Sequence, residues 1–130
     1  MAEAAIPPSG PLIVYVEIVG PRTSRLITMA LDTGAVHTVV PIETALAIGY
    51  DPTKLKRRVE VVTASRVELA VLLRVKAIRF LGQTVRNVQA LCHDLPAQSP
   101  VKGLLGLNFL RHFNVHLNFL SEQIGLYPRP

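Results

Sequence analysis

The segment FNVHLNFL sets Phe113, Val115, Leu117 and Phe119 against Asn114, His116 and Asn118. Apolar and polar residues alternate with a period of two, the spacing of a β-strand with one buried face. Similar short apolar runs recur along the chain, each broken by turn-forming residues. PLIVYVEIVG places Leu12, Val14, Val16 and Ile18 on one face, with Glu17 interrupting the other. GPRTS supplies turn chemistry and the β-rich run RLITMALD follows, so residues 12 to 31 read as a hairpin. HTVVP is a short third strand closed by Pro41. RRVEVV, VELAVLLRVKAIRF, VRNVQALCHDL and IGLYP continue the pattern. In the longest of these, Val67, Leu69, Val71, Leu73, Val75 and Ala77 are expected on one face, and Glu68, Arg74 and Lys76 on the other. IETALAIGY reads as a short helix stopped by Gly49, and LLGLNFLRHF holds a second. Many short strands with one or two short helices predict a mostly-β domain, a small barrel or sandwich.

The chain has 130 residues, which fits one domain. Residues 1–10, MAEAAIPPSG, read as a flexible tail, leaving 11–130 as the domain. With 49% apolar residues, 5% aromatic and no Trp, the core must be built mainly from Val, Leu, Ile and Ala. The formal charge is +5, but the bases are scattered. The compact cluster Lys54, Lys56, Arg57 and Arg58 reads as a solvated basic turn. No aromatic or Gly-rich RNA signature accompanies the charge, so no nucleic-acid partner is expected. The N-terminus lacks the basic and apolar regions of a signal peptide, and no apolar run would span a bilayer. No membrane partner is expected, and the location is read as cytoplasmic. Cys92 is the one cysteine, so no disulfide forms within the chain, which suits a reducing compartment. Between Leu91 and His93 it reads as a small core residue.

Several chemistries find no support. His112 and His116 are four residues apart, which on a helix would suit a metal. The alternation instead puts His116 on a strand, where residues four apart sit about 13 Å from each other. No HExxH surrounds them, and neither a metal nor a cofactor is expected. There is no G-x-S-x-G elbow. GLLGLN has glycines but no Lys to hold a phosphate.

What remains is MALDTGAVHTVVP. Asp32, one of three aspartates, lies in the most apolar neighbourhood of the chain. A carboxylate in such a place is costly unless it is paired, hydrogen-bonded or protonated. Gly34 can take backbone angles denied to other residues and lets main-chain N–H groups approach the carboxylate. Thr33 offers a hydroxyl that can tie the loop to a neighbour. The tripeptide alone is also what an ordinary β-turn can spell.

ALDTGA resembles the active-site loop of aspartic proteases. VKGLLGLNFL resembles the second signature of that family: Leu104, Leu105 and Gly106, followed by a short helix that packs behind the aspartate loop. The order of elements fits as well, over roughly residues 11 to 127. The chain is similar to the retropepsin-like, single-domain branch in its bacterial form, which implies a small closed β-barrel of the acid-protease type. The resemblance implies an aspartic endopeptidase in which two carboxylates share a proton and activate a water. This chain carries one Asp-Thr-Gly. Asp51 in YDPT and Asp94 in HDLP precede neither Thr-Gly nor Ser-Gly. The second carboxylate would therefore be Asp32 of another copy, in a homodimer acting on a peptide or protein substrate.

The same resemblance implies roles for individual residues. Asp32, Thr33 and Gly34 would form the catalytic loop, with Thr33 bonding across the twofold axis. Ala35 would touch substrate; it lacks the hydroxyl that some relatives place there, so a pH optimum nearer neutrality is expected. VEVVTASRVELA would be the flap, with Thr63, Ala64, Ser65 and Arg66 at its tip binding an extended peptide as an added strand. Arg66 stands where family tips often carry Gly, and would weaken closure or select acidic substrates. Leu104, with Leu46 and Ile48, would shape apolar subsites or belong to the core. The alternative function is a retropepsin-fold dimerisation or peptide-binding module that cleaves little or nothing.

Overall fold

The computed structural model describes residues 2–7, 9–55, 57–62 and 67–128. Strand β1 is Ala2–Ala5, followed by the hairpin β2 (Ile13–Val19) and β3 (Ser24–Leu31). Then come β4 (Thr38–Val40), helix α1 (Ile42–Ala47) and a 3₁₀ turn at Pro52–Lys54. Strands β5 (Arg58–Val62), β6 (Val67–Phe80) and β7 (Gln83–Cys92) form the long central meander. Strand β8 (Gly103–Leu105), helix α2 (Leu107–Leu110), β9 (Phe113–Asn118) and β10 (Gln123–Pro128) complete the chain.

The larger sheet runs β2-β3-β8-β4-β7-β6-β5, and β2 also pairs with β6. That extra pairing closes six strands into a barrel and leaves β5 outside it as the free arm of a hairpin. The fold is thus the expected mostly-β closed barrel with two short helices. Glu17 explains its place on an otherwise apolar strand. Its carboxylate accepts from Ser24 Oγ at 2.9 Å and pairs with Arg79 at 2.9 Å, so it links β2 to both neighbours at the closure. The Arg79 hydrogen bond, and then the Ser24 one, hold its pKa below the ordinary carboxylate value.

The β2 alternation is as the sequence predicts, with Val14, Val16 and Ile18 buried. Strand β6 departs from it. Val67 and Leu69 are exposed, while Ala70 and Leu72 on the opposite face are buried with Val39 and Leu91. Leu73 and Val75 then face the barrel core, followed by Ile78 and Phe80 rather than Ala77 and Arg79. The phase changes where the ladder skips Lys76 and Asn87, and Asn87 adopts φ +56°. The Lys76 N–H donates to the Tyr50 hydroxyl instead, at 3.0 Å.

A smaller sheet, β1-β10-β9, packs below the barrel through Ile124 and Leu126. The first ten residues are therefore not simply a tail. Ala2–Ala5 pairs with β10 from Ala2 opposite Leu126 to Ala5 opposite Gln123, and Ile6 is buried. Alanine has little β preference of its own, so this strand exists because β10 offers it an edge. At the other edge β9 keeps the period of two, but Leu117 is 36% and Phe119 63% exposed.

Candidate active site

Asp32 is the residue at which β3 ends and the chain turns. Its N–H donates to the Leu105 carbonyl at 3.0 Å, so the end of β8 fixes its backbone. The Gly34 N–H donates to Asp32 Oδ1 at 2.8 Å, and the Ala35 N–H reaches the Asp32 carbonyl at 3.3 Å. Gly34 does this without a left-handed backbone, contrary to the expectation from sequence. What matters is its missing side chain: a Cβ there would stand 3.1 Å from Asp32 Oδ1. Thr33 and Gly34 are exposed and Asp32 is half-buried. Among the described residues, no hydrogen bond forms to the Thr33 hydroxyl and no carboxylate pairs with Asp32.

The loop is clamped from behind. The Leu107 N–H donates to the Ala35 carbonyl at 2.8 Å, and the Asn108 N–H to that of Val36 at 3.1 Å. The buried Thr38 hydroxyl accepts from the Gly106 N–H at 3.1 Å and donates to Asn108 Oδ1 at 2.9 Å. Asn108 Oδ1 also accepts from the Thr38 N–H at 3.0 Å, and its Nδ2 donates to the Gln89 carbonyl. One amide side chain thus ties α2 to β4 and β7. The glycines of the second signature make this approach possible. A Cβ on Gly106 would lie 2.7 Å from the His37 carbonyl and 2.8 Å from that of Ala35, and one on Gly103 would overlap the Val39 carbonyl oxygen. Thr38 and Asn108 were not singled out from the sequence; the signal was a polar residue opening an apolar strand and an Asn just past Gly106.

The other two aspartates are used elsewhere. Asp51 caps the 3₁₀ turn through the Thr53 N–H at 3.0 Å, and Asp94 accepts from the Ile42 N–H at 2.9 Å at the start of α1. Chemically, Asp32 is a carboxylate on a rigid loop that opens outward. Such a group can take a proton from water, or share one with a second carboxylate placed against it.

The remaining expected residues distribute as follows. Ala35 is half-buried, with its carbonyl engaged by α2 and a methyl that adds no hydrogen bond. Leu104 is half-buried against Val39, Ala70, Leu72 and Leu91, beneath the β5–β6 hairpin and next to the residue that holds Asp32. Ile48 is fully buried in the barrel, which removes it from any subsite, whereas Leu46 is exposed. The arms of the proposed flap pair as far as Val62 opposite Val67. Thr63, Ala64, Ser65 and Arg66, the proposed tip, lie outside the described residues. Cys92 is buried, as expected for a core residue, and burial followed by the negative charge of Asp94 pushes its thiol up to about 11. His116 is on β9 with its ring 4.7 Å from that of Tyr127. Among the described residues no His, Cys, Asp and Glu side chains converge as metal ligands, and no helix is long and apolar enough to cross a membrane.

Comparison with known proteins agrees with this geometry. A family model described as aspartyl protease matches residues 14–109, well over half of the chain. No curated protein sequence matches this one. Among solved structures the fold is similar to the crystal structure of a retropepsin-like aspartic protease from Rickettsia conorii. The TM-score is 0.74 at 21% identity, covering 96% of this chain and 89% of that one. With its Asp-Thr-Gly turn, its Gly-flanked second signature and this barrel, the chain belongs to the aspartyl protease family, with a retropepsin-like fold.

Proposed function

We propose that the chain is an aspartic endopeptidase that works as a homodimer. The observation that carries this is the outward-facing Asp32 turn: one rigidly held carboxylate, with no acidic partner among the described residues of its own chain. A twofold axis beside the turn would bring a second Asp32 against the first. Two carboxylates that close cannot both stay ionised, so one holds a proton while the other draws a proton from the water between them. That water attacks the peptide carbonyl as the protonated carboxyl polarises its oxygen. The two groups titrate as a pair.

Exposed apolar surface supports the association. Val36, next to the catalytic turn, is 60% exposed. Strand β9 is one edge of the smaller sheet, and Leu120 in the turn after it is fully exposed. Val62, Val67 and Leu69 give the β5–β6 hairpin an exposed apolar side; an extended peptide would lie under the opposite side, with Leu104 and Ala35 as contact residues. Thr63, Ala64, Ser65 and Arg66 would close over that peptide, and Thr33 would bond to its copy across the axis.

The test compares wild type with Asp32→Asn on a peptide library, with mass measured by light scattering. Cleavage by a dimeric wild type, lost by at least about a thousandfold in a still dimeric variant, is expected. A stable wild-type dimer that cleaves no peptide would instead establish a binding module.

A further inference from the structure

Strand β3 has two neighbours of unequal length. It pairs with β2 from Ser24 to Ala30, but with β8 only from Met29 to Leu31. The last tie on the β8 side is the Lys102 N–H, which donates to the Thr28 carbonyl at 2.9 Å. Bonds to β2 leave from the odd-numbered residues of β3: the Leu31 N–H donates to the Leu12 carbonyl at 2.9 Å, and the unbroken register carries that alternation down the strand. The main-chain groups of even-numbered residues therefore point away from β2. Among the described residues, the Thr28 N–H and both main-chain groups of Leu26 have no main-chain partner.

This stretch of edge opens onto a hollow of about 540 Å³, faced on its far side by Thr44 of α1 and by Leu95 and Val101 of the loop after β7. The size lies within the range of ligand sites. Charges of both signs stand around it, Arg25 and Lys102 with Glu43 and Asp94, so it does not select one charged group. What sets it apart is the row of main-chain donors and acceptor, which an extended polypeptide complements. No proline and no bulge interrupts Ser24–Ala30 to block such pairing. On the outer face of the hairpin, Leu26 and Tyr15 are each 67% exposed, and Tyr15 lies opposite Thr28. A further strand beside β3 would cover part of this apolar surface with its own side chains.

We infer that the start of β3 is a second peptide-binding site: an extended segment of another polypeptide adds to this edge as a strand, with an apolar residue opposite Leu26. Asp32 stands at the other end of the strand, about 20 Å away at the rise of a β-strand. The inference therefore goes beyond the proposed activity and does not depend on cleavage.

The experiment uses Asp32→Asn, so that no peptide is cut, and a short peptide of alternating Val and Thr with Lys at both ends. Amide hydrogen exchange is followed residue by residue by NMR. Without peptide, the Leu26 and Thr28 amides should exchange quickly and the Ile27 amide, bonded to β2, slowly. Peptide at about 1 mM should slow Leu26 and Thr28 by at least about tenfold. A single N-methyl group moved along the peptide should abolish the slowing at every second position, because only alternate amides of an added strand face β3. Leu26→Pro removes an N–H outside the β2 ladder and should weaken binding, whereas Leu26→Val should keep it. If Leu26→Pro does not fold, the N-methyl scan decides alone. Unchanged exchange at about 1 mM peptide, or slowing that ignores the position of the methyl group, would overturn the inference. So would slowing that grows with protein concentration in the absence of peptide, which would give the edge to a second copy of this chain. None of these readings requires turnover, so the site can fail or stand separately from the proposed activity.

Discussion

At the scale of the residue, the site depends on a few groups with no spare bonds. Asn108 carries three hydrogen bonds from its side chain, two of them to Thr38. Truncating it removes the acceptor of the Thr38 hydroxyl and N–H and a donor to the Gln89 carbonyl. Asn108→Ala should cost about 2–3 kcal/mol in urea unfolding and lower kcat, because the loop loses its rear support. Cys92 offers a test of the core. Its thiol is raised to about 11, so the folded state keeps the proton while the unfolded chain releases it above its ordinary value. Stability from this group is intact below pH of about 8.5 and falls as pH rises toward about 11, by about 3 kcal/mol in all. Chemical denaturation across that range should show a larger loss in wild type than in Cys92→Ala, where half-buried Tyr50, also raised by desolvation, still contributes. The Asp-Thr-Gly turn was legible in the sequence because its parts are contiguous. The Thr38–Asn108 clamp was not, because it joins residues 70 apart and neither belongs to a local motif on its own.

At the scale of the element, α2 is too short to be stable alone. It is held by the Gly106 region at one end and by Phe109, whose fully buried ring meets Phe80 at 6.5 Å and Phe113 at 5.2 Å. Phe109→Ala should destabilise the fold by about 3–5 kcal/mol, read as a drop in Tm, and should loosen the loop that α2 supports. Strand periodicity was legible for β2 and for the first half of β9, where one face meets one core. It misled for β6, which serves two cores in turn: the cluster under the hairpin takes Ala70 and Leu72, and the barrel takes Leu73 and Val75. No local pattern announces such a change of partner. β1 was missed for a related reason, since Ala2–Ala5 becomes a strand only through pairing with β10, far along the chain.

At the scale of the whole molecule, each chain supplies one Asp32 turn at its surface, and the proposed centre needs two. The barrel, its closure and its two helices were legible from run lengths, turn residues and the resemblance of two separated motifs. Assembly is the level at which the sequence was least explicit, apart from the count of Asp-Thr-Gly copies. The most direct measurement mixes wild type with Asp32→Asn in equal amounts, lets subunits exchange, and compares activity with an unmixed sample of the same total protein. If both carboxylates are required and pairing is random, activity falls to about a quarter. Activity that falls only by half, in proportion to the wild-type chains present, would mean that each subunit acts alone and would contradict the shared centre.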